Sequence, residues 1–132
     1  MERRRKIAAT VLTVIVFLML IGGGVAKVLR PPTVVEDFTT LGVGEYTIVF
    51  GLSEIILCML FLYPKTLKLS VLLLSAYFGG AMATHVSHSS SPLQPAIPLI
   101  FIWIAAYLRE SSIFFSPTLQ KKYYGKNQND NE

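Results

Sequence analysis

Charge is missing from the middle of this sequence. From Leu69 to Leu108 the chain runs forty residues without an Asp, Glu, Lys or Arg. No soluble domain of this size carries such a run. It is too long for one helical crossing of a bilayer and suits two, since each crossing takes roughly 20 mostly apolar residues. Cysteine is nearly absent as well. Cys58 stands alone, which excludes an internal disulfide and a thiol relay working through a CxxC pair. Inside an apolar segment it reads as a small buried side chain. Histidine is limited to His85 and His88. Three residues apart, they share a helical face, but without further ligands at matching positions they do not make a metal or haem site. Nothing resembles a phosphate loop, a catalytic triad or a zinc site, so no residue set performs a recognisable reaction unaided. Enzyme status stays open, leaning against activity in the isolated chain, and no metal is expected.

What is present is a hydrophobic chain, 52% apolar over 132 residues, with a formal charge of +4. The basic residues gather at the ends of apolar segments and in the tails, where a bilayer leaves them. The expected partner is therefore the lipid bilayer and not nucleic acid. Met1 to Lys6 is a basic start, followed by twenty uncharged residues from Ile7 to Ala26. A basic start, an apolar core and small residues before Lys27 also describe a signal peptide, but the apolar core of such a peptide is about 7–15 residues and this one is longer. It is read as a retained first helix. Arg30-Pro31-Pro32 ends it, because tandem prolines cannot continue the hydrogen-bond ladder. The segment TVVEDFTTLGVGE reads as an acidic loop. Tyr46 to Tyr63 is a second span interrupted only by Glu54, and Pro64-Lys65 begins a short basic turn. A third span ends near His85, and the polar HVSHSSSPLQP separates it from a fourth. No internal repeat is evident.

These readings give an all-α fold, an integral membrane four-helix bundle with both termini cytoplasmic. The membrane domain covers 1–115, with spans at about 7–29, 46–63, 67–86 and 95–115, and a polar cytoplasmic tail covers 116–132. With four spans, ten of the twelve basic residues fall on one side and only Lys27 and Arg30 on the other. That asymmetry places the termini inside under the positive-inside rule, in a multi-pass protein of the cytoplasmic membrane.

An ionisable group in hydrocarbon costs about 2.5–3.5 kcal/mol on insertion scales, so each one needs a reason. Glu54 is the clearest, roughly 12–14 Å below the surface by helical rise. It is a proton carrier, a ligand for a polar head group, or a structural carboxyl. Lys27 near the outer end of its helix either snorkels or pairs with a carboxylate. Glu45 lies at a similar depth, whereas Glu54 is deeper and needs tilted or staggered helices. His85, at the same outer level, completes a candidate polar cluster of Lys27, Glu54 and His85. The small residues of the third span, Gly79, Gly80 and Ala83 among them, are expected to let helix backbones approach.

Taken in order, several stretches resemble the DoxX-like family of small four-helix membrane proteins. They are Gly23-Gly24-Val25-Ala26-Lys27-Val28, Leu41-Gly42, Gly51-Leu52-Ser53-Glu54-Ile55-Ile56 and Tyr63-Pro64-Lys65-Thr66. The likeness is strongest at Tyr77-Phe78-Gly79-Gly80-Ala81-Met82-Ala83-Thr84-His85, followed by Pro98 and by Trp103 to Arg109, and it covers roughly Ile7 to Glu110. Val28 stands where a leucine is common, and the tail after Phe115 lies outside the pattern. The resemblance implies a four-helix integral membrane protein with Lys27, Glu54 and His85 at the family's polar positions. The family takes its name from a subunit of a quinone-linked thiosulfate oxidoreductase, and other relatives are associated with membrane redox complexes. The function expected on that ground is a small accessory or quinone-interacting component of a membrane redox system, with quinone as candidate cofactor and a membrane or cytoplasmic redox protein, or further copies in an oligomer, as candidate partners. The alternative is a structural or interaction protein in which the same residues are packing glue. A small-solute carrier is the weaker alternative, since a chain this short would have to oligomerise to form a pathway and shows no inverted repeat.

Overall fold

The computed structural model describes residues 1–115, and the tail over 116–132 lies outside the described residues. Regular structure in them is all helical: α1 (Glu2–Leu29), α2 (Pro32–Thr40), α3 (Thr47–Leu62), α4 (Leu67–Ser87) and α5 (Leu93–Arg109), with 3-10 turns at Gly44–Tyr46, Pro64–Thr66 and Ser111–Ile113.

The double proline both ends one helix and starts the next. Arg30 takes a left-handed conformation (φ 53°) and donates its N–H to Ala26 O, closing the last turn of α1. Pro31 then flanks α2 and Pro32 occupies its first position, where a missing N–H costs nothing and a fixed φ suits the helix. The segment read as an acidic loop is therefore helical over Pro32–Thr40. Val34, Phe38 and Leu41 recur at helical spacing along one side of it, and Glu36 and Asp37 dilute that pattern in the sequence. After Leu41 the chain turns through Gly42 at φ 73°. A side chain there would be strained, and its Cβ would lie 3.2 Å from His88 Nε2.

The four long helices close a ring in which α1 packs on α3 and α5, and α4 packs on the same two. Val16, Leu20, Cys58, Phe61, Leu74 and Ile102 are among the buried residues that fill it. The outward faces are as apolar as the inward ones: Leu18, Ile56, Leu72 and Ile100 are 62%, 60%, 67% and 57% exposed. A helix that is apolar all round belongs in a protein interior or in lipid. Three stretches, Glu2–Leu29, Gly44–Leu62 and Pro64–Ser87, are long and apolar enough to cross a membrane, and Leu93–Arg109 is apolar but shorter.

α2 lies at the end of the ring where α1 finishes and α3 begins. At the opposite end, basic side chains close the helix C-termini, where carbonyls lack intrahelical donors and cations are favoured. Arg109 donates to Phe61 O at 2.6 Å and Leu62 O at 3.1 Å, stitching α5 to the end of α3. Arg5 on α1 donates to Leu108 O at 3.2 Å and Tyr107 O at 3.3 Å. Thr66 caps α3 from the following turn, its hydroxyl 2.7 Å from Leu60 O.

Candidate functional site

The site begins where α1 and α3 touch. A Cβ on Gly24 would sit 3.0 Å from Gly51 O, and one on Gly51 would sit 2.6 Å from Gly24 O and 2.9 Å from Lys27 Cβ. The two glycines thus face each other with nothing between their backbones, which is how small residues let membrane helices approach. Lys27 and Glu54 each follow a crossing glycine by three residues. The helices are antiparallel, so the two Cα atoms lie on opposite sides of the crossing. Lys27 covers the gap because helical side chains lean towards the N-terminus of their own helix. Its stem runs back down α1, and Nζ lies 3.5 Å from Gly23 O while pairing with Glu54 Oε2. The structure therefore pairs Lys27 with Glu54. Glu45, in the turn before α3, has no cation partner among the described residues.

Tyr77 on α4 completes the group. Its hydroxyl is 3.2 Å from Glu54 Oε2 and 3.2 Å from Phe50 O, so the carboxylate is held by an ammonium from one helix and a phenol from another. The Glu54 side chain is 4% exposed and that of Lys27 17%. Nothing in the sequence set Tyr77 apart from the other aromatics as a partner of Glu54.

These residues form part of the wall of a cavity of about 700 Å³ bounded by α1, α3, α4 and α5, with α2 across one end. Such a volume suits a small organic molecule. Lys27, Glu54 and His85 all line it, but His85 bonds neither of the other two. Its Nδ1 lies 2.8 Å from Ala81 O in its own helix. A row of rings runs along the wall, Phe38 to Phe50 at 6.1 Å, Phe50 to Tyr77 at 6.3 Å and Tyr77 to Phe78 at 5.1 Å between centroids. Lys27 Nζ stands 6.0 Å from the Phe38 centroid. The chamber is mostly apolar and aromatic, with a few polar groups converging at the α2 end.

The small residues of α4 do not pack as expected within this chain. Gly79, Gly80 and Ala83 are exposed, and a Cβ at either glycine would meet nothing within 4 Å. The close approach falls at Gly24 and Gly51 instead. Cys58 is buried, its Sγ 4.0 Å from Phe17 O. Among the described residues no three His, Cys, Asp or Glu side chains are grouped to hold a metal ion.

Helices apolar on every face and long enough to span hydrocarbon, with a charge pair sealed among them, define a membrane protein. The family follows from the sequence itself: a family model described as the DoxX-like family matches residues 11–108, and the chain belongs to that family. Comparison with curated proteins and with solved structures found no match.

Proposed function

We propose that this protein is a four-span protein of the cytoplasmic membrane, with both termini cytoplasmic, that binds a quinone-class lipophile as a small accessory component of a membrane redox system. In this reading α1, α3, α4 and α5 are the spans and α2 covers the outer mouth of the cavity. The 17 residues of α5 reach roughly 26 Å, enough for a bilayer that thins slightly around it. The observation that carries the proposal is the Lys27–Glu54–Tyr77 group set into the wall of an aromatic cavity of about 700 Å³. A buried ion pair that served packing alone would sit in a filled interface. This one borders space large enough for a ring-bearing head group, and the family's redox associations supply the class of ligand.

A second reading has its own observation. The Gly24–Gly51 contact brings the two helices together at the ion pair, so the pair also suits a purely structural protein that holds a partner. Native purification in mild detergent, with extraction and mass spectrometry of whatever co-purifies, separates the two. A stoichiometric quinone or redox partner that is lost in Glu54→Gln supports the ligand site. A ligand-free preparation that merely loses stability with the same change supports packing.

A further inference from the structure

Each polar group on the cavity wall has a fixed hydrogen-bonding sense once its protein partner is counted, and the senses do not balance. Tyr77 directs its one hydroxyl hydrogen at Glu54 Oε2 and Phe50 O, so towards anything else its oxygen can only accept. Thr84 is in the same position, its hydroxyl donating to Gly80 O at 2.9 Å. For His85, the contact of Nδ1 with Ala81 O at 2.8 Å decides the tautomer. A carbonyl oxygen only accepts, so the hydrogen of the neutral ring sits on Nδ1 and Nε2 presents a lone pair. Glu54 Oε1 and the carboxylate of the exposed Asp37 receive no protein donor among the described residues, and both residues line the cavity. Against these acceptors stand the one N–H that Lys27 has left after Glu54 and Gly23 and the side-chain amide of the exposed Gln94.

From this geometry we infer that the cavity takes a lipophilic molecule whose polar end donates hydrogen bonds, a hydroxyl or a protonated amine, in preference to one whose polar end only accepts. The inference rests on the reading of the cavity as a ligand site and narrows it: within the quinone class, the wall selects the reduced, dihydroxy form over the dicarbonyl form. A carbonyl head seated here sets lone pairs against lone pairs. A wall that mostly accepts hydrogens favours a ligand that brings them, because a head group without them leaves Glu54 Oε1, on the one buried residue of the set, unpaired. The ring row of Phe38, Phe50 and Tyr77 receives either source of the donor, stacking on an aromatic hydroquinone or facing a cation.

The test uses the full chain in detergent and three probes with one alkyl tail: a hydroquinone kept reduced under anaerobic conditions, the matching quinone, and a tertiary amine. The donating probes are expected to bind about tenfold tighter than the quinone, the equivalent of one well-made hydrogen bond. Thr84→Val and His85→Leu, at the partly exposed end of α4, should each narrow that preference several-fold while the quinone's own affinity changes little. Tight binding by the amine alone sustains the inference and removes the ligand from the quinone class, which overturns the redox reading only. Quinone binding as tight as hydroquinone overturns the inference and leaves the cavity as a site. Binding of none of the three overturns both.

Discussion

Glu54 is held from two helices, and its value to the fold depends on its partners staying in place. Replacing it with leucine leaves the Lys27 ammonium among apolar and aromatic neighbours with only the Gly23 carbonyl 3.5 Å away. Breaking one side of such a pair costs on the order of 3 kcal/mol, read as a lower unfolding midpoint in detergent. Glu54→Gln keeps an acceptor for Lys27 and loses the charge, and should cost about 1.5 kcal/mol. The double variant Lys27→Met with Glu54→Leu removes both charges, and most of the stability should return, because well-packed apolar groups replace buried ion pairs at little cost. Ligand retention should not return with it. A double variant that recovers stability and still holds its ligand would make the pair packing alone. An unchanged midpoint in Glu54→Leu would mean that the pair contributes nothing to the fold.

At the scale of helices, the contrast between two sets of glycines is testable. Gly51→Ala places a methyl group 2.6 Å from Gly24 O, and since backbone cannot swing aside as a side chain can, α1 and α3 must part. A loss of about 1–3 kcal/mol is expected, with weakened ligand retention as Lys27 and Glu54 separate. Gly79→Ala meets open space and should be neutral, or stabilising by up to about 1 kcal/mol from helix propensity, measured by the same midpoints. A destabilised Gly79→Ala would show that another chain packs there. Residue types alone do not make this distinction. They mark where a close approach is permitted, and only the packed helices show that it falls at Gly24 and Gly51 and not on α4. For the same reason the long helices were legible, because apolar runs and prolines bound them, while α2 was hidden by two acidic residues and three threonines in a nine-residue stretch. Lys27 and Glu54 were legible as costly groups. Their union was not, because helical rise measures depth along an axis and says nothing of how far a lysine stem leans back. Tyr77 joined them only once the fold brought α4 alongside.

For the whole molecule, the placement of charge favours one orientation in the bilayer. In the four-span reading, Arg3, Arg4, Arg5, Lys6, Lys65, Lys68 and Arg109 share the end of the ring opposite α2, and two of them, Arg5 and Arg109, also cap α5 and α3 there. Lys27 and Arg30 alone lie towards the α2 end. Pulling the basic end across the bilayer would move those charges through hydrocarbon, so translocation should favour the α2 end. Single-cysteine labelling checks this directly, because the native Cys58 is 0% exposed and should give little background. Thr40→Cys, at the exposed end of α2, should react with a membrane-impermeant maleimide in intact cells. Glu2→Cys, at the exposed start of α1, should react only after the membrane is opened. The reverse pattern would invert the topology and move the cavity mouth to the cytoplasmic side, within reach of soluble electron donors. Labelling of both in intact cells would put the two positions on one side of the bilayer and mean that α1, the helix between them, does not cross. The cavity depends on that helix. Met19, Gly23 and Lys27 of α1 form one of its sides, so a chain whose α1 lay along the surface would not carry Lys27 to Glu54, and the ligand reading would fall with the topology.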